Sequence, residues 1–238
     1  MRAGRSSEEG TRLDGEVAAS ACFIRSSLST SASATSGPSN SLPIARAIQC
    51  GIVSTPRLAD DTAQLMDYIK ALAIVRGEVT LSSGRTADYY VDLRRVTLDG
   101  AAAPIVGRVM RSLVADWEFE AVGGLTLGAD PVATAMLHAA AAAGDRLDAF
   151  VVRKQGKAHG LQQRIEGARV TGRRVLAVED TSTTGASVLA AVEALREAGA
   201  QVIGVAVIVD RNTGAKDAVD AVGLPYRAAI SARDLGLE

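Results

Sequence analysis

The chain is 238 residues long, 47% hydrophobic, and carries 26 Lys and Arg against 27 Asp and Glu. That length sustains one sizeable core rather than two, and a formal net charge of -1 gives no general electrostatic reason to expect a nucleic-acid or membrane partner. Both cysteines, Cys22 and Cys50, precede the first well-patterned segment, so the folded part has no thiol for a disulfide, a zinc site or a nucleophile, which fits a reduced, cytoplasmic setting.

Residues 1–57 read as an N-terminal extension, because 26–41 is dominated by Ser, Thr and Ala with Gly37 and Pro38 and has no helical or strand periodicity. Such composition predicts disorder. Arg2, Arg5, Arg12 and Arg25 among the serines also admit an organelle transit peptide, against which stand the acids Glu8, Glu9, Asp14 and Glu16. A third reading is an overlong start assignment, with the true beginning near Met66 or somewhat earlier. The same acids argue against a secretory signal, and no stretch approaches the roughly 20 apolar residues that span a bilayer.

The single domain is expected over 58–238. Leu65, Ile69, Leu72 and Val75 share a face of a helix that Asp60 or Asp61 is placed to cap. Residues 79–81 and 89–93 read as short strands about the turn Ser83-Gly84-Arg85, and Ile105, Val109 and Leu113 mark a second helix. A strand-then-helix rhythm follows: strand 121–123 and an Ala-rich helix over 131–143, strand 147–152 and a polar loop, strand 175–178 and a helix over 185–198, then an unbroken apolar run over 202–209. Strands without in-out alternation, separated by helices, predict a parallel sheet covered on both faces. Ligands in such sheets bind at the carboxyl ends of the strands.

The most informative segment is Val175-Leu176-Ala177-Val178-Glu179-Asp180-Thr181-Ser182-Thr183-Thr184-Gly185-Ala186-Ser187. A buried strand here ends in two acids and turns through hydroxyl residues into a helix. Successive amides at a helix start, with the positive end of the helix dipole behind them, suit a phosphate, to which Thr183, Thr184 and Ser187 can add hydroxyl donors. Glu179 and Asp180 do not favour a phosphate by charge, but carboxylates accept hydrogen bonds from vicinal ribose hydroxyls. Acid pair plus anion loop therefore spells sugar phosphate, while the lack of a Walker lysine and of GxGxxG disfavours nucleotide hydrolysis and dinucleotide binding.

This segment resembles the binding motif for phosphoribosyl pyrophosphate (PRPP) of the type I phosphoribosyltransferases: a run of aliphatics, two acids, two variable residues, then Thr-Thr-Gly or Thr-Ala-Gly. The resemblance implies an α/β fold with a central parallel sheet flanked by helices and a small N-terminal hood. It also implies that Glu179, Asp180, Thr181, Ser182, Thr183, Thr184, Gly185, Ala186 and Ser187 bind PRPP. Ala186 stands where many members have Gly.

A second segment, Arg153-Lys154-Gln155-Gly156-Lys157-Ala158-His159-Gly160, places three cations and a histidine among glycines after a strand. It suits a mobile lid that brings positive charge over a departing pyrophosphate and excludes water; a solvated surface loop is the alternative. Arg-Lys-x-x-Lys-x-His-Gly is similar to the catalytic loop of the orotate phosphoribosyltransferases. That likeness implies Arg153, Lys154, Lys157 and His159 as catalytic and PRPP-binding residues, with the loop reaching into the partner's site of a homodimer. Magnesium would be carried by PRPP, with no protein side chain assigned to it.

Thr80-Leu81-Ser82-Ser83-Gly84-Arg85 followed by Asp88-Tyr89-Tyr90 resembles the orotate-binding segment of the same family, with Tyr90 the expected stacking surface. The alternative is a turn with two core tyrosines. Thr183 and Arg211 match positions that the family uses to hold orotate, and an Arg facing the carboxylate separates orotate from neutral bases. Two positions depart from better-known members: Ser82 replaces a common Lys, and Leu125-Thr126-Leu127-Gly128-Ala129-Asp130 lacks the Lys that many carry in the pyrophosphate loop. Asp130 is expected to cap the next helix or to orient a metal-bound water, with the cap favoured, and His138 to be structural.

The reading is thus orotate phosphoribosyl transfer, with PRPP and orotate as small-molecule partners and no nucleic-acid or membrane partner. The rivals are transfer to another base, such as a purine, and a PRPP-sensing regulator, for which no helix-turn-helix or basic arm is evident. Fusion to a following decarboxylase is not expected at this length, since no barrel-sized segment of about 250 residues remains.

Overall fold

The computed structural model describes residues 58–80, 86–154 and 164–237. The chain begins there with α1 (Leu58–Tyr68), which passes through a π-helical turn (Ile69–Ala73) into the hairpin β1 (Ile74–Thr80) and β2 (Thr86–Val91). A short α2 (Arg94–Thr97) and α3 (Ala103–Leu113) lead to β3 (Ala121–Leu125), α4 (Ala129–Ala142), β4 (Asp148–Val152) and β5 (Ile165–Gly167). The remainder is β6 (Arg174–Ser182), α5 (Ala186–Glu197), β7 (Gln201–Asp210), α6 (Ala215–Asp220) and β8 (Tyr226–Ser231).

Six strands form one sheet in the order β5-β4-β3-β6-β7-β8, and β1-β2 form a separate antiparallel pair, the small hood. Pairing is parallel throughout the large sheet except at its edge, where β5 runs against β4. Unbroken burial along β3, and along most of β6 and β7, follows from cover on both faces. One face packs Leu176 and Ile208 against Leu65 and Ile69, Val106 and Met110 of α3, and Met136 of α4. The other packs Phe150, Val175 and Val205 against Val188, Val192 and Leu195 of α5. Alanine dominates α4 because α3 approaches it to backbone contact: a Cβ on Gly107 would lie 2.2 Å from the carbonyl oxygen of Ala135.

Several expectations need correction. The face Leu65, Ile69, Leu72, Val75 holds only for its first two members, because the π-helical turn rotates the chain so that Leu72 is 36% exposed and Val75 already lies in β1. The two hairpin strands run six and seven residues rather than the short pieces expected, their apolar and polar residues being too mixed to betray their length. The turn Ser83-Gly84-Arg85 and the extension 1–57 lie outside the described residues. Asp61 is not a cap. It lies within α1, is 4% exposed, and accepts two hydrogen bonds from Arg108, Nε to Oδ2 at 2.9 Å and Nη2 to Oδ1 at 2.6 Å.

That forked contact ties α1 to α3 and raises the Arg108 pKa, chiefly through the hydrogen bond to Asp61. Asp61→Ala leaves the guanidinium with no carboxylate on a half-buried surface. Because Arg108 remains 40% exposed, solvent screening holds the cost to about 2 kcal/mol, below that of a fully buried pair. Thermal melts should show a drop of several degrees; a midpoint within about one degree of the parent would mean the pair is idle.

Candidate functional site

β6 runs past its apolar stretch, so Glu179 and Asp180 end up at the carboxyl end of the central strand, beside the loop that enters α5. Glu179 is buried at 5% exposure, and Asp180 is half-buried. Local amides turn the acids into place: Asp180 N–H donates to Glu179 Oε1 at 3.2 Å, and Thr181 N–H to Asp180 Oδ1 at 2.6 Å. Among the described residues no cation forms an ion pair with either acid. Burial, and then the Asp180 charge, push the Glu179 carboxyl up to about 8. Burial raises Asp180 as well, opposed by the Thr181 amide and by the positive charge of Arg94.

Beyond the acids the chain exposes Thr183 and Thr184 and turns at Gly185, whose φ of +80° is left-handed and open to glycine at little strain. No side chain caps α5, so the first amides of this twelve-residue helix, beside the exposed Ala186 and Ser187, are free to meet an anion. Thr181 Oγ1 is buried with no hydrogen-bond partner among the described residues. Ser182 is buried, and its carbonyl accepts from the Arg211 amide at 2.9 Å, which brings the end of β7 alongside the loop.

The segment Leu125–Asp130 faces the acids from β3. A Cβ on Gly128 would lie 2.4 Å from Glu179 Oε1 and 2.8 Å from Asp180 Oδ1, so no side chain fits there while both carboxylates hold their places. This close approach accounts for glycine at that point of a loop that otherwise lacks a cation. Asp130 does not cap α4. Gly128 occupies the N-cap position without a side-chain bond, and Asp130 lies inside the first turn, where its Oδ2 accepts from Thr126 Oγ1 at 2.6 Å. Its Oδ1 is buried with no partner among the described residues. His138 is exposed on α4, contrary to a structural role, since the helix buries its alanine stripe instead.

Arg153 is held at the base of the basic segment. Its Nη1 donates to Glu166 Oε1 at 2.9 Å and its amide to the Arg164 carbonyl at 2.8 Å, so engaging an anion requires exchange of the Glu166 contact. Lys154 is exposed; Lys157 and His159 lie outside the described residues, as does Ser82. On the hood side Arg211 stacks over Tyr89 at 5.0 Å from the ring centroid. Tyr90, the expected stacking surface, is half-buried and accepts a long 3.4 Å contact from Arg94 Nη2. Alternation in β2 sends adjacent tyrosines to opposite faces, and nothing in the local pattern tells which face meets β7. Sequence reading also passed over Arg94, bound to Asp92 at 2.8 Å and close enough to act on Asp180.

A vicinal diol accepted by two acids, a phosphate on free helix amides and a planar anion beside Arg211 are what this arrangement can hold. Comparison with known proteins identifies the family. A family model described as phosphoribosyl transferase domain matches residues 99–223. The chain is 66% identical over 180 residues to an orotate phosphoribosyltransferase of Streptomyces avermitilis, a match covering 75% of this chain and 99% of that protein. It is 55% identical, with a TM-score of 0.65, to the crystal structure of a Mycobacterium tuberculosis orotate phosphoribosyltransferase in complex with PRPP, covering 74% of this chain and 99% of that one. An adenine phosphoribosyltransferase from Thermoanaerobacter pseudethanolicus matches at TM-score 0.51 and 14% identity over 70% of this chain and 99% of that one, a likeness of fold alone.

A carboxyl whose folded-state pKa lies above its ordinary value binds its proton more tightly folded than unfolded. The Glu179 contribution to stability is therefore fullest below its ordinary 4.5 and is lost as pH rises towards 8. Glu179→Gln, which keeps the shape and removes the titration, should remove that decline. Melting curves of ligand-free protein from about pH 5 to 8.5 check this, and parallel pH profiles for the two proteins would refute it.

Proposed function

The chain belongs to the orotate phosphoribosyltransferase family, and on that basis we propose that Glu179 to Ser187 bind PRPP while Arg211 holds the carboxylate of orotate. It transfers the 5-phosphoribosyl group of PRPP to orotate, giving orotidine 5'-monophosphate and pyrophosphate, a step of pyrimidine biosynthesis. The observation that carries the residue assignment is the acid pair near the carboxyl end of β6, Glu179 buried and Asp180 half-buried, followed by the loop into an uncapped helix. The acids accept the ribose 2- and 3-hydroxyls, and the amides and hydroxyls between Thr181 and Ser187 take the 5-phosphate. Both ends of the sugar are then fixed, and C1 is presented to the base, so positioning supplies much of the rate.

As the base nitrogen bonds to C1, the C1–O bond to pyrophosphate breaks and negative charge grows on the leaving group. Arg153, Lys154, Lys157 and His159 close over that charge, and the backbone about Gly128 receives it from below. Protein side chains offer no ready metal cage: no group of three ligating side chains occurs among the described residues. The chemistry nonetheless fits magnesium carried by PRPP, because Asp130 Oδ1, buried with no partner among the described residues, would accept a hydrogen bond from a water on the metal. Bound magnesium supplies charge neutralisation on pyrophosphate.

The working unit of this reading is a homodimer with a shared loop. Support comes from an apolar groove between α3 and α4, at whose edges Leu98 is 72% and Leu127 67% exposed. Leu127 belongs to the segment facing the acids, so a second copy seated there comes within reach of the site. The reaction is assigned to the cytoplasm, since a polyanionic substrate does not cross a bilayer unaided.

The direct test offers PRPP and magnesium with orotate, uracil, adenine or hypoxanthine in turn; only orotate should be consumed, and turnover of a purine would move the assignment to another base. Lys157→Ala should lower the single-turnover rate on the order of a hundredfold with a smaller change in PRPP affinity, because the leaving-group charge is met chiefly in the transition state. An unchanged rate removes Lys157 from the chemistry.

A further inference from the structure

Arg211 has to present the edge of its guanidinium to a carboxylate, yet it stands at the end of β7 on a turn that a flexible side chain could leave in many ways. The backbone is set well: its amide donates to Ser182, and Asn212, at φ +54°, donates its amide to Asp210 Oδ1 at 2.9 Å. What directs the side chain is Tyr89, whose ring lies beneath the guanidinium. A ring beneath the guanidinium takes one of its faces, and among the described residues no side-chain hydrogen bond is made by its N–H edge, the edge that a forked contact with a carboxylate uses.

Tyr89 is itself held from the far end of the sequence. Its hydroxyl donates to the carbonyl of Leu237 at 2.9 Å. The turn that carries Leu237 follows β8 and is docked by burial of Ala232 and Leu235. Internal bonds close it, Leu237 N–H to Ala232 O at 3.0 Å, while the Ala232 amide donates to Asp210 O at 2.8 Å. Asp210 immediately precedes Arg211, so the circuit returns to its start: the end of β7 anchors the C-terminal turn, the turn holds Tyr89, and Tyr89 orients Arg211.

We propose that Tyr89, latched to the carbonyl of Leu237, is a positioning residue that sets the Arg211 guanidinium for the carboxylate of the base and so sharpens selection of an acidic pyrimidine over a neutral one. This rests on the reading of Arg211 as the carboxylate-binding residue. The C-terminal turn is then a part of base recognition, although it lies outside the phosphate loop and the basic segment.

Steady-state kinetics of the full chain with orotate and with PRPP varied separately test this. Tyr89→Phe keeps the ring and loses the latch, and should raise the KM for orotate about fivefold while leaving that for PRPP within about twofold. Tyr89→Leu, which also loses the stack, should raise it on the order of tenfold or more and narrow the preference for orotate over uracil. In an Arg211→Gln background, Tyr89→Phe should add nothing further. The proposal is overturned by an unchanged orotate KM in Tyr89→Phe, by an equal rise for both substrates, or by full additivity with Arg211→Gln, which would put Tyr89 on the base directly. If Arg211→Gln by itself leaves the orotate KM unchanged, the assignment of Arg211 falls, and the latch falls with it. A raised KM in Arg211→Gln with none in Tyr89→Phe removes the latch alone.

Discussion

Two carboxylates, Glu179 and Asp180, sit side by side at the end of a buried central strand with no ion-pair partner among the described residues. Removing such groups from water is costly unless they are hydrogen-bonded or neutralised. Local amides meet part of that cost, and burial together with the Asp180 charge pushes the Glu179 carboxyl up to about 8.

Close backbone approach is the second condition on this site. Gly128 lets the loop after β3 lie against the acids, and on the neighbouring strands a Cβ on Gly123 or Gly124 would meet Phe150 or Val178 backbone oxygens at 2.1 Å. Packing at backbone distance fixes how close the loop after β3 stands to the acids of β6. Positive charge is left to Arg94, to Arg211 and to the basic segment that begins at Arg153.

Arginine is used in this chain where a plane is needed as well as a charge. Arg211 stacks on Tyr89 and Arg227 on Trp117, and Arg108 grips Asp61 through two nitrogens. At Arg211 that plane lies over the ring of Tyr89, on the strand pair of the hood.

The strand-then-helix rhythm and the unbroken apolar runs were enough to read a parallel sheet covered on both faces from the sequence, and the acid-acid-hydroxyl-glycine segment carried the family resemblance, because those signals are local: each is encoded within a dozen consecutive residues. Contacts between distant segments were decided only by the tertiary structure. Asp61 looked like a cap until Arg108, 47 residues away, came to meet it, and Asp130 looked like another until Thr126 and the turn at Gly128 placed it inside α4. Tyr89 and Tyr90 are indistinguishable by type, and the choice between them rests on which face of β2 meets β7 and the C-terminal turn. The physical reason is the same in each case: side-chain identity sets what a residue can do, and only the packing of segments remote in sequence sets which partner it does it with.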